Sequence, residues 1–381
     1  MQGVRPSKPY QQYLSQGLSE LEAAAQMQAT YGVSAEKLQL LRQVGAFTHV
    51  LLGDLDPRAV SIYVGIPFCP TRCLYCSFPS FSLSDLGRER GRFVEALLTE
   101  IAALGTCLSE QQRPVDSVYL GGGTPTALST GDLDRVLSAL RRELPGGWRE
   151  FTVEAGRPET LTADQLAVLL AHGVERVSIN PQTAHDRTLR AIGRQHQAAD
   201  VEMAFGRSRE LFSVINMDLI LGLPGEGMED VQRSLRWVLG MQPENITLHM
   251  FAPKRASRFS AEQAEWVDQL PPTDIAQAMN TWCQRQLAEA GYRPYYLYRQ
   301  RNILGGQENT GWAKPGTECR YNVLMIEERQ HILGLGVGAS SKFLLPAGRL
   351  QNLSNPKDVP NYLQRLPQLI AEKLERLGAL L

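Results

Sequence analysis

Between residues 59 and 260 the sequence passes six times from a short apolar run to an amphipathic stretch, and this alternation restricts the possible folds most. The apolar runs are rich in β-branched residues and predict strands over 60–66, 115–120, 151–154, 174–180, 214–221 and 245–251. The stretches between them predict helices over 92–104, 131–144, 162–171 and 228–239, with further helical stretches up to about 211. Strands that are joined by helical crossovers lie parallel in one sheet. We therefore predict an α/β fold whose parallel sheet is either open or closed into a barrel.

The segments on either side of this core lack the alternation. We predict an N-terminal helical segment, the alternating core and an α+β C-terminal domain, over 1–58, 59–260 and 261–381. In the last part, the aromatic and basic stretch 292–301 is expected to be a surface strand with a solvated face, and a helix is expected from about Val359. The opening Gly3-Val-Arg-Pro6 is an unusual start for a domain, so the chain is expected to begin partway into a longer unit.

The composition excludes several classes of protein. Hydrophobic residues make up 43% of the chain and charged residues 21%, as in soluble globular proteins. A formal net charge of −1 gives no general attraction to nucleic acid, so basic side chains near a site must hold any anionic ligand. No apolar run approaches the roughly 20 residues that span a bilayer, and the first 30 residues lack a signal peptide's apolar core. A reducing cytoplasm is the expected compartment.

Three cysteines follow the first predicted strand in the spacing C-x3-C-x2-C, at Cys69, Cys73 and Cys76. A structural zinc site would need four ligands, commonly as two separated pairs, and no second pair is present. A redox pair of Cys73 and Cys76 would open a helix of a thioredoxin-like unit, which is absent. An iron–sulfur cube held by three thiolates leaves one iron free for a ligand from outside the protein. The spacing therefore favours an iron–sulfur cluster.

Polar or glycine-rich residues stand at the carboxyl ends of the predicted strands. Besides the cysteines, these are Gly121-Gly-Gly-Thr-Pro-Thr126, Glu154, Gln182, Asp218 and Ala252-Pro-Lys254. In a parallel barrel these ends form the catalytic face, so we expect the residues to converge. The glycines permit close approach of the backbone to a ligand, and their N–H groups could meet a carboxylate.

Arginines offer a second source of binding groups. Arg194 could pair with a ligand carboxylate. Arg293, Arg299 and Arg301 have two readings, either as solvated side chains or as bidentate partners of substrate carboxylates.

With these motifs the chain resembles the radical S-adenosylmethionine (SAM) superfamily. The stretches that resemble oxygen-independent coproporphyrinogen III dehydrogenases and their relatives are Tyr63-Val-Gly-Ile-Pro-Phe-Cys69, Leu120-Gly-Gly-Gly-Thr-Pro-Thr126 and Asp218-Leu-Ile-Leu-Gly-Leu-Pro-Gly225. Those that resemble the HemZ-type branch are Cys69-Pro-Thr-Arg-Cys-Leu-Tyr-Cys-Ser-Phe-Pro-Ser80, Tyr295-Tyr-Leu-Tyr-Arg-Gln300, Gly311-Trp-Ala-Lys-Pro-Gly316 and Gly334-Leu-Gly-Val-Gly-Ala-Ser-Ser-Lys-Phe343. Branch members usually carry a longer N-terminal region that ends in a similar Gly-Val-Arg-Pro, so this chain looks short at its start.

The resemblance implies a fold, two cofactors and a reaction. It implies a partial (β/α)6 TIM-like barrel with a [4Fe-4S] cluster on Cys69, Cys73 and Cys76, and SAM chelating the fourth iron. An external electron donor reduces the cluster, and SAM is cleaved to methionine and a 5′-deoxyadenosyl radical. In the dehydrogenases the radical takes hydrogen from two propionates of coproporphyrinogen III, which lose CO2 and become the vinyl groups of protoporphyrinogen IX.

The resemblance also assigns residues to SAM by position. Those that match the first SAM site are Tyr63, Gly122 and Glu154. Those that match contacts of a second SAM are Tyr75, Gly123, Thr124, Gln182, Arg194, Asp218 and Ala252.

One departure keeps other functions open. Related proteins carry a His-Asn pair followed by Tyr-Trp in the C-terminal region, where this chain has Tyr321-Asn-Val-Leu-Met325. The alternatives are a haem-binding or haem chaperone protein of the same fold and a radical SAM enzyme that acts on another tetrapyrrole. The expected partner is therefore a tetrapyrrole such as coproporphyrinogen III, or haem, and not nucleic acid.

Overall fold

A computed structural model describes residues 5–78, 81–82, 87–345 and 349–379. Its α-helices are α1 Ser7–Ser15, α2 Glu20–Tyr31, α3 Ala35–Gly53, α4 Gly87–Glu110, α5 Thr130–Glu143, α6 Ala163–Ala171, α7 Asp186–Ala191, α8 Ala198–Arg209, α9 Met228–Met241, α10 Arg258–Ala261, α11 Gln263–Trp266, α12 Thr273–Glu289, α13 Arg320–Glu327 and α14 Val359–Gly378. Its strands are β1 Val60–Ile66, β2 Phe68–Cys69, β3 Phe81–Ser82, β4 Val115–Gly122, β5 Glu150–Glu154, β6 Arg176–Ser178, β7 Val214–Leu221, β8 Asn245–Met250, β9 Arg293–Tyr298, β10 Asn309–Ala313, β11 His331–Gly336, β12 Ser340–Leu345 and β13 Arg349–Ser354.

The chain packs as two compact units, each assembled from separate stretches. The cysteine-loop unit comprises Asp56–Asn180, Arg190–Ile215 and Glu328–Leu381. The aromatic unit, named for its tyrosine-rich strand β9, comprises Met1–Leu55, Pro181–Leu189 and Asn216–Glu327. The division into 1–58, 59–260 and 261–381 stays a prediction. Within the described ranges no helix has both the length and the apolar character needed to cross a bilayer.

The sheet of the cysteine-loop unit has the strand order β13-β12-β11-β1-β4-β5-β6. The strands from β11 to β6 run parallel, and β12 and β13 extend the sheet antiparallel. Six of the seven residues of β1 are buried, which is the pattern of a parallel strand covered on both faces. Gly65 of β1 and the turn after β11 pack backbone to backbone, since a Cβ on Gly65 would lie 2.7 Å from the Val337 carbonyl oxygen.

A buried polar cluster fastens the C-terminal helix to this sheet. The Lys373 ammonium on α14 pairs with Glu100 of α4 and donates to the Gly334 carbonyl, and both charged side chains are fully buried. The other carboxylate oxygen of Glu100 accepts from the Gly336 N–H at 2.8 Å and the Tyr362 hydroxyl at 2.7 Å. Each of these four groups has at least one hydrogen-bond partner, as a buried polar cluster requires.

The aromatic unit contains β7 and β8 in parallel, followed by β10 and β9, each antiparallel to its neighbour. Helix α3 packs against β9, where Phe47 meets Tyr295 edge-on with ring centroids 6.2 Å apart. This contact explains why the predicted solvated face of 292–301 is wrong, since Tyr295, Tyr296 and Leu297 are all buried.

Most predicted elements are present, with changed limits. Strands β1 and β7 have the predicted bounds, whereas β6 is only three residues long. Helix α1 and strands β11 to β13 were not expected from the sequence. The glycine-rich stretch from Gly334 forms part of β11 and β12, because glycine lets these backbones approach closely.

Candidate functional site

The cysteine loop begins directly after β1. Cys69 lies in the short strand β2, which pairs with β3, and none of the three cysteines of the motif forms a disulfide within the described ranges. Burial raises the pKa of the Cys69 thiol to about 12, against the opposing pull of Arg157 and with a further increase from Cys73 and Cys76. These mutual effects mean that the three sulfur atoms are electrostatic neighbours.

The three thiols suit a cluster better than a single ion. Among residues 5–78, 81–82, 87–345 and 349–379, no group of three or more His, Cys, Asp or Glu side chains converges as the ligands of one ion must. A cluster places each thiolate on a different iron and needs no such common point. Three neighbouring thiols are the donor set that leaves one iron of a cluster open, so Cys69, Cys73 and Cys76 fit that group.

The glycines at the end of β4 make room for the loop. The Gly123 N–H donates to the Ile66 carbonyl at 2.7 Å, and the Thr124 N–H donates to the Phe68 carbonyl at 2.8 Å. Gly122 has a φ of 108°, a conformation that favours glycine, and a Cβ there would meet Ile66. The N–H groups of Gly123 and Thr124 therefore hold the cysteine loop, which differs from the sequence-based idea that glycine N–H groups face a ligand.

Glu154 ends β5 beside these glycines. Its carboxylate accepts from the Tyr119 hydroxyl at 2.6 Å, and a Cβ on Gly121 would lie 3.0–3.1 Å from it. The Tyr119 ring stacks on Tyr63 with centroids 6.1 Å apart, and the Glu154 charge adds to burial in raising the pKa of Tyr63. Tyr63 and Glu154, which were both predicted, therefore lie together, with Tyr119 as a partner that the motifs did not indicate.

Arg194 connects the loop after β6 with the cysteine loop. Its guanidinium donates to the carbonyls of Asn180 at 2.6 Å and Gly156 at 3.1 Å, and to the Tyr75 hydroxyl at 3.3 Å. The Arg194 Nε is buried and has no hydrogen-bond partner among the described residues. A buried cation with an unused donor is suited to an anionic ligand such as a carboxylate.

Gln182 and Asp218 meet in the aromatic unit. The Gln182 N–H donates to the Asp218 carbonyl at 2.9 Å, and Gln182 adopts a positive φ of 69°. Its buried Oε1 has no hydrogen-bond partner within the described ranges. Ala252 is buried two residues beyond the end of β8. The orphaned oxygen of Gln182, like Arg194 Nε in the other unit, fits a site that takes a polar cofactor.

The Asp218 side chain has a partner that the sequence analysis missed. His249 Nε2 lies 3.5 Å from Asp218 Oδ2, and His249 Nδ1 lies 3.5 Å from the Tyr298 hydroxyl. Burial alone would raise the pKa of Asp218, but His249 and hydrogen bonds from Asn216 and Thr247 hold it below its usual value. The carboxylate therefore stays ionised at neutral pH.

Two stacked tyrosine rings adjoin Asp218 and His249. The rings of Tyr296 and Tyr298 lie nearly parallel, with centroids 6.3 Å apart and an interplanar angle of 11°. Gly311 of β10 lies directly under Tyr296, since any Cβ at this position would overlap the ring. Glycine in the Gly311-Trp-Ala-Lys-Pro-Gly motif thus lets a tyrosine lie flat on the sheet. Arg299, one of the candidate carboxylate ligands, instead donates to the carbonyls of Gly306 and Gln307.

Residues 63–238 match the sequence profile of the radical SAM superfamily. The chain is 38% identical to the oxygen-independent coproporphyrinogen-III oxidase-like protein HemZ of Bacillus subtilis, over 98% of this chain and 76% of that protein. It is 29% identical to the heme chaperone HemW of the same organism, over 73% of this chain and 70% of that protein. The structure of coproporphyrinogen III oxidase (HemN) from Escherichia coli matches with a TM-score of 0.66 and 22% identity, covering 85% of this chain and 72% of that chain.

These similarities confirm the predicted fold class and cofactors. The fold is that of the radical SAM barrel, a mixed α/β architecture with a large parallel sheet. The cofactors are a [4Fe-4S] cluster and SAM, as in other members of the superfamily. The individual SAM contacts carried over from the motifs remain predictions.

Proposed function

This chain belongs to the radical SAM superfamily, in the family of oxygen-independent coproporphyrinogen III oxidase-like proteins, and we propose that it decarboxylates coproporphyrinogen III. In the proposed reaction two propionate side chains each lose a hydrogen atom, CO2 and one electron and become vinyl groups, which gives protoporphyrinogen IX. An external electron acceptor takes the two electrons. The observation that carries the proposal is the adjacency of the cysteine loop, the Tyr63–Glu154 pair and the buried Arg194 in one unit.

The bound cofactors supply the electron and the radical, and the protein supplies placement. We assign the cluster to Cys69, Cys73 and Cys76. The Glu154 carboxylate, held by the Tyr119 hydroxyl, can accept from an ammonium group, and a methionine moiety carries such a group. Arg194 Nε can donate to a carboxylate.

The residues of the aromatic unit are proposed to hold polar and flat groups. Gln182 Oε1 and the ionised Asp218 can accept hydrogen bonds from ribose hydroxyl or amino groups. The half-buried ring of Tyr298, which stacks on the buried ring of Tyr296, offers an apolar contact for one edge of a tetrapyrrole. The electron donor in the cell is a separate reductant, and we place the protein in the cytoplasm, where such donors and reduced thiols occur.

We expect the anaerobically reconstituted protein, given dithionite, SAM and coproporphyrinogen III, to form vinyl product and CO2. Omitting SAM should abolish both products. A Glu154→Gln variant should react about 10–100-fold more slowly at limiting SAM, since a charged hydrogen bond contributes about 1.5–3 kcal/mol. Product is measured by chromatography after oxidation to the porphyrin. Cleavage of SAM with unchanged coproporphyrinogen III would contradict the proposed reaction.

Haem binding is a second candidate function, and His249 is the observation that favours it. The side chain is 27% exposed, and Asp218 lies against one of its ring nitrogens. A carboxylate that orients an imidazole in this way is a common arrangement behind metal-ligating histidines. Haem would then be bound with its iron on the other ring nitrogen, Nδ1, in place of the 3.5 Å contact to the Tyr298 hydroxyl.

A His249→Gln variant tests this second function. If His249 ligates haem iron, the variant should lose the ligand-dependent Soret shift and bind haem about 10–100-fold more weakly in a spectrophotometric titration. His172→Gln is the matched control, because His172 also pairs with a carboxylate, Asp134, at 2.8 Å. Equal haem spectra and affinities in wild type and His249→Gln would exclude the ligand role.

A further inference from the structure

Arg157 reaches the cysteine loop, although no motif indicated it. The residue follows β5 by three positions and is 97% buried, with 3% of its side chain exposed. One guanidinium nitrogen, Nη1, lies 3.5 Å from Cys73 Sγ and 3.2 Å from the Thr71 carbonyl oxygen. The other, Nη2, donates to the Thr71 hydroxyl at 2.9 Å. Arg157 therefore contacts a cysteine of the motif and the backbone just before it.

Two further residues, Glu159 and His196, hold the guanidinium of Arg157 in place. Arg157 Nε donates to Glu159 Oε1 at 2.8 Å, and Nη2 lies 2.6 Å from the same oxygen. The other oxygen of Glu159 accepts from His196 Nδ1 at 3.0 Å, since a carboxylate can only accept. Burial alone would raise the pKa of Glu159, but His196 and Arg157 lower it to about 2. The pair is thus ionised, and two contacts to one carboxylate oxygen fix the orientation of the Arg157 guanidinium.

We propose that Arg157 is a positioning residue for the cluster, which orients Cys73 and, by donating to its sulfur, raises the reduction potential of the [4Fe-4S] centre. A thiolate ligand carries negative charge, and each electron added to the cluster increases that charge. Hydrogen bonds to ligand sulfur therefore favour the reduced form. Glu159 and His196 serve this function indirectly, by keeping the fork of Arg157 in one orientation. The inference rests on the cluster alone and not on which tetrapyrrole is the substrate.

Charge and hydrogen bonding can be separated with three variants. Arg157→Gln removes both, Arg157→Lys keeps a cation but loses the planar fork, and Arg72→Gln removes the same charge from an exposed position of the cysteine loop. If the hydrogen bond to Cys73 is what matters, both Arg157 variants should shift the midpoint potential to lower values. Arg72→Gln should shift it much less.

The experiment is an anaerobic redox titration of reconstituted protein followed by electron paramagnetic resonance. Dithionite donates one electron to the oxidised cluster, [4Fe-4S]2+, and gives the paramagnetic [4Fe-4S]1+ form. Iron and sulfide content per chain is measured on each sample, and we expect the Arg157 variants to bind the cluster about 10–100-fold more weakly. If their loading is too low to titrate, His196→Ala provides the second variant. It loosens Glu159 but leaves the Glu159 charge in place, so we expect a smaller shift in the same direction.

The outcomes discriminate between the alternatives. Lower potentials for Arg157→Gln and Arg157→Lys, with Arg72→Gln near wild type, would support the proposal. Equal shifts for Arg157→Gln and Arg72→Gln, or a potential in Arg157→Lys equal to wild type, would overturn it. Failure to decarboxylate coproporphyrinogen III would leave these potentials unaffected, so the two proposals fail separately.

Discussion

A Cys73→Ala variant is expected to retain no [4Fe-4S] cluster after anaerobic reconstitution and to cleave no SAM. Cys73 is buried and stands between the other two cysteines in the sequence. Its sulfur is the one that Arg157 contacts. With two thiolates left, the cluster loses one of its three protein ligands. The loss should be at least about 100-fold in iron bound at equilibrium.

The measurements are iron and sulfide per chain, the cluster's visible absorption and the formation of 5′-deoxyadenosine from SAM. Cys107→Ala is the matched control, since Cys107 lies half-buried on α4 in the same unit. That variant should load and react like wild type. Formation of 5′-deoxyadenosine by Cys73→Ala at the wild-type rate would disprove the assignment of the cluster to this motif.

Lys373→Met is expected to lower the free energy of unfolding by about 3–5 kcal/mol. The substitution preserves length and apolar stem, but it leaves the Glu100 carboxylate buried without its cation. The hydrogen bonds from Gly336 and Tyr362 remain and cannot neutralise a full charge. Because these groups join α14, α4 and β11, the loss should weaken the packing of both helices on β11.

Urea unfolding followed by circular dichroism measures the change. Lys357→Met makes the same substitution at an exposed position and should stay within about 0.5 kcal/mol of wild type. A double variant, Glu100→Leu with Lys373→Met, should recover only part of the loss, because Gly336 and Tyr362 would then lack their acceptor. An unfolding midpoint for Lys373→Met equal to that of Lys357→Met would show that the buried pair contributes nothing to stability.

The sequence predicted the core of the fold because the spacing of its apolar residues matches the burial of its strands and helices. Strand β1 is apolar on both faces, so its bounds could be read directly from the run that precedes Cys69. The pairing of β1 with β11 could not be predicted, since it joins residues far apart in the chain through backbone groups that every residue carries. Likewise, Lys373 on an amphipathic helix looks like a solvated residue until its partner on α4 is known.

The same reasoning explains the missed site residues. Glu154 could be predicted because it ends a strand, whereas Arg157 acquires its role from a loop that brings it to Cys73. His249 did have a signal, since it alternates with Thr247 on β8, the strand next to Asp218. A search for polar residues at period two on neighbouring strands would have found it.

The pairing of β1 has a consequence for the order of events during synthesis on the ribosome. One neighbour of β1, the strand β4, emerges soon after it, but the other, β11, begins at His331. The buried ion pair between Glu100 and Lys373 also joins residues that are 273 positions apart in the chain. Until β11 has been synthesised, β1 has an unpaired edge, and such an edge promotes aggregation of nascent chains. We therefore expect metal insertion to follow translation, with chaperones protecting a half-paired strand beside three reactive thiols.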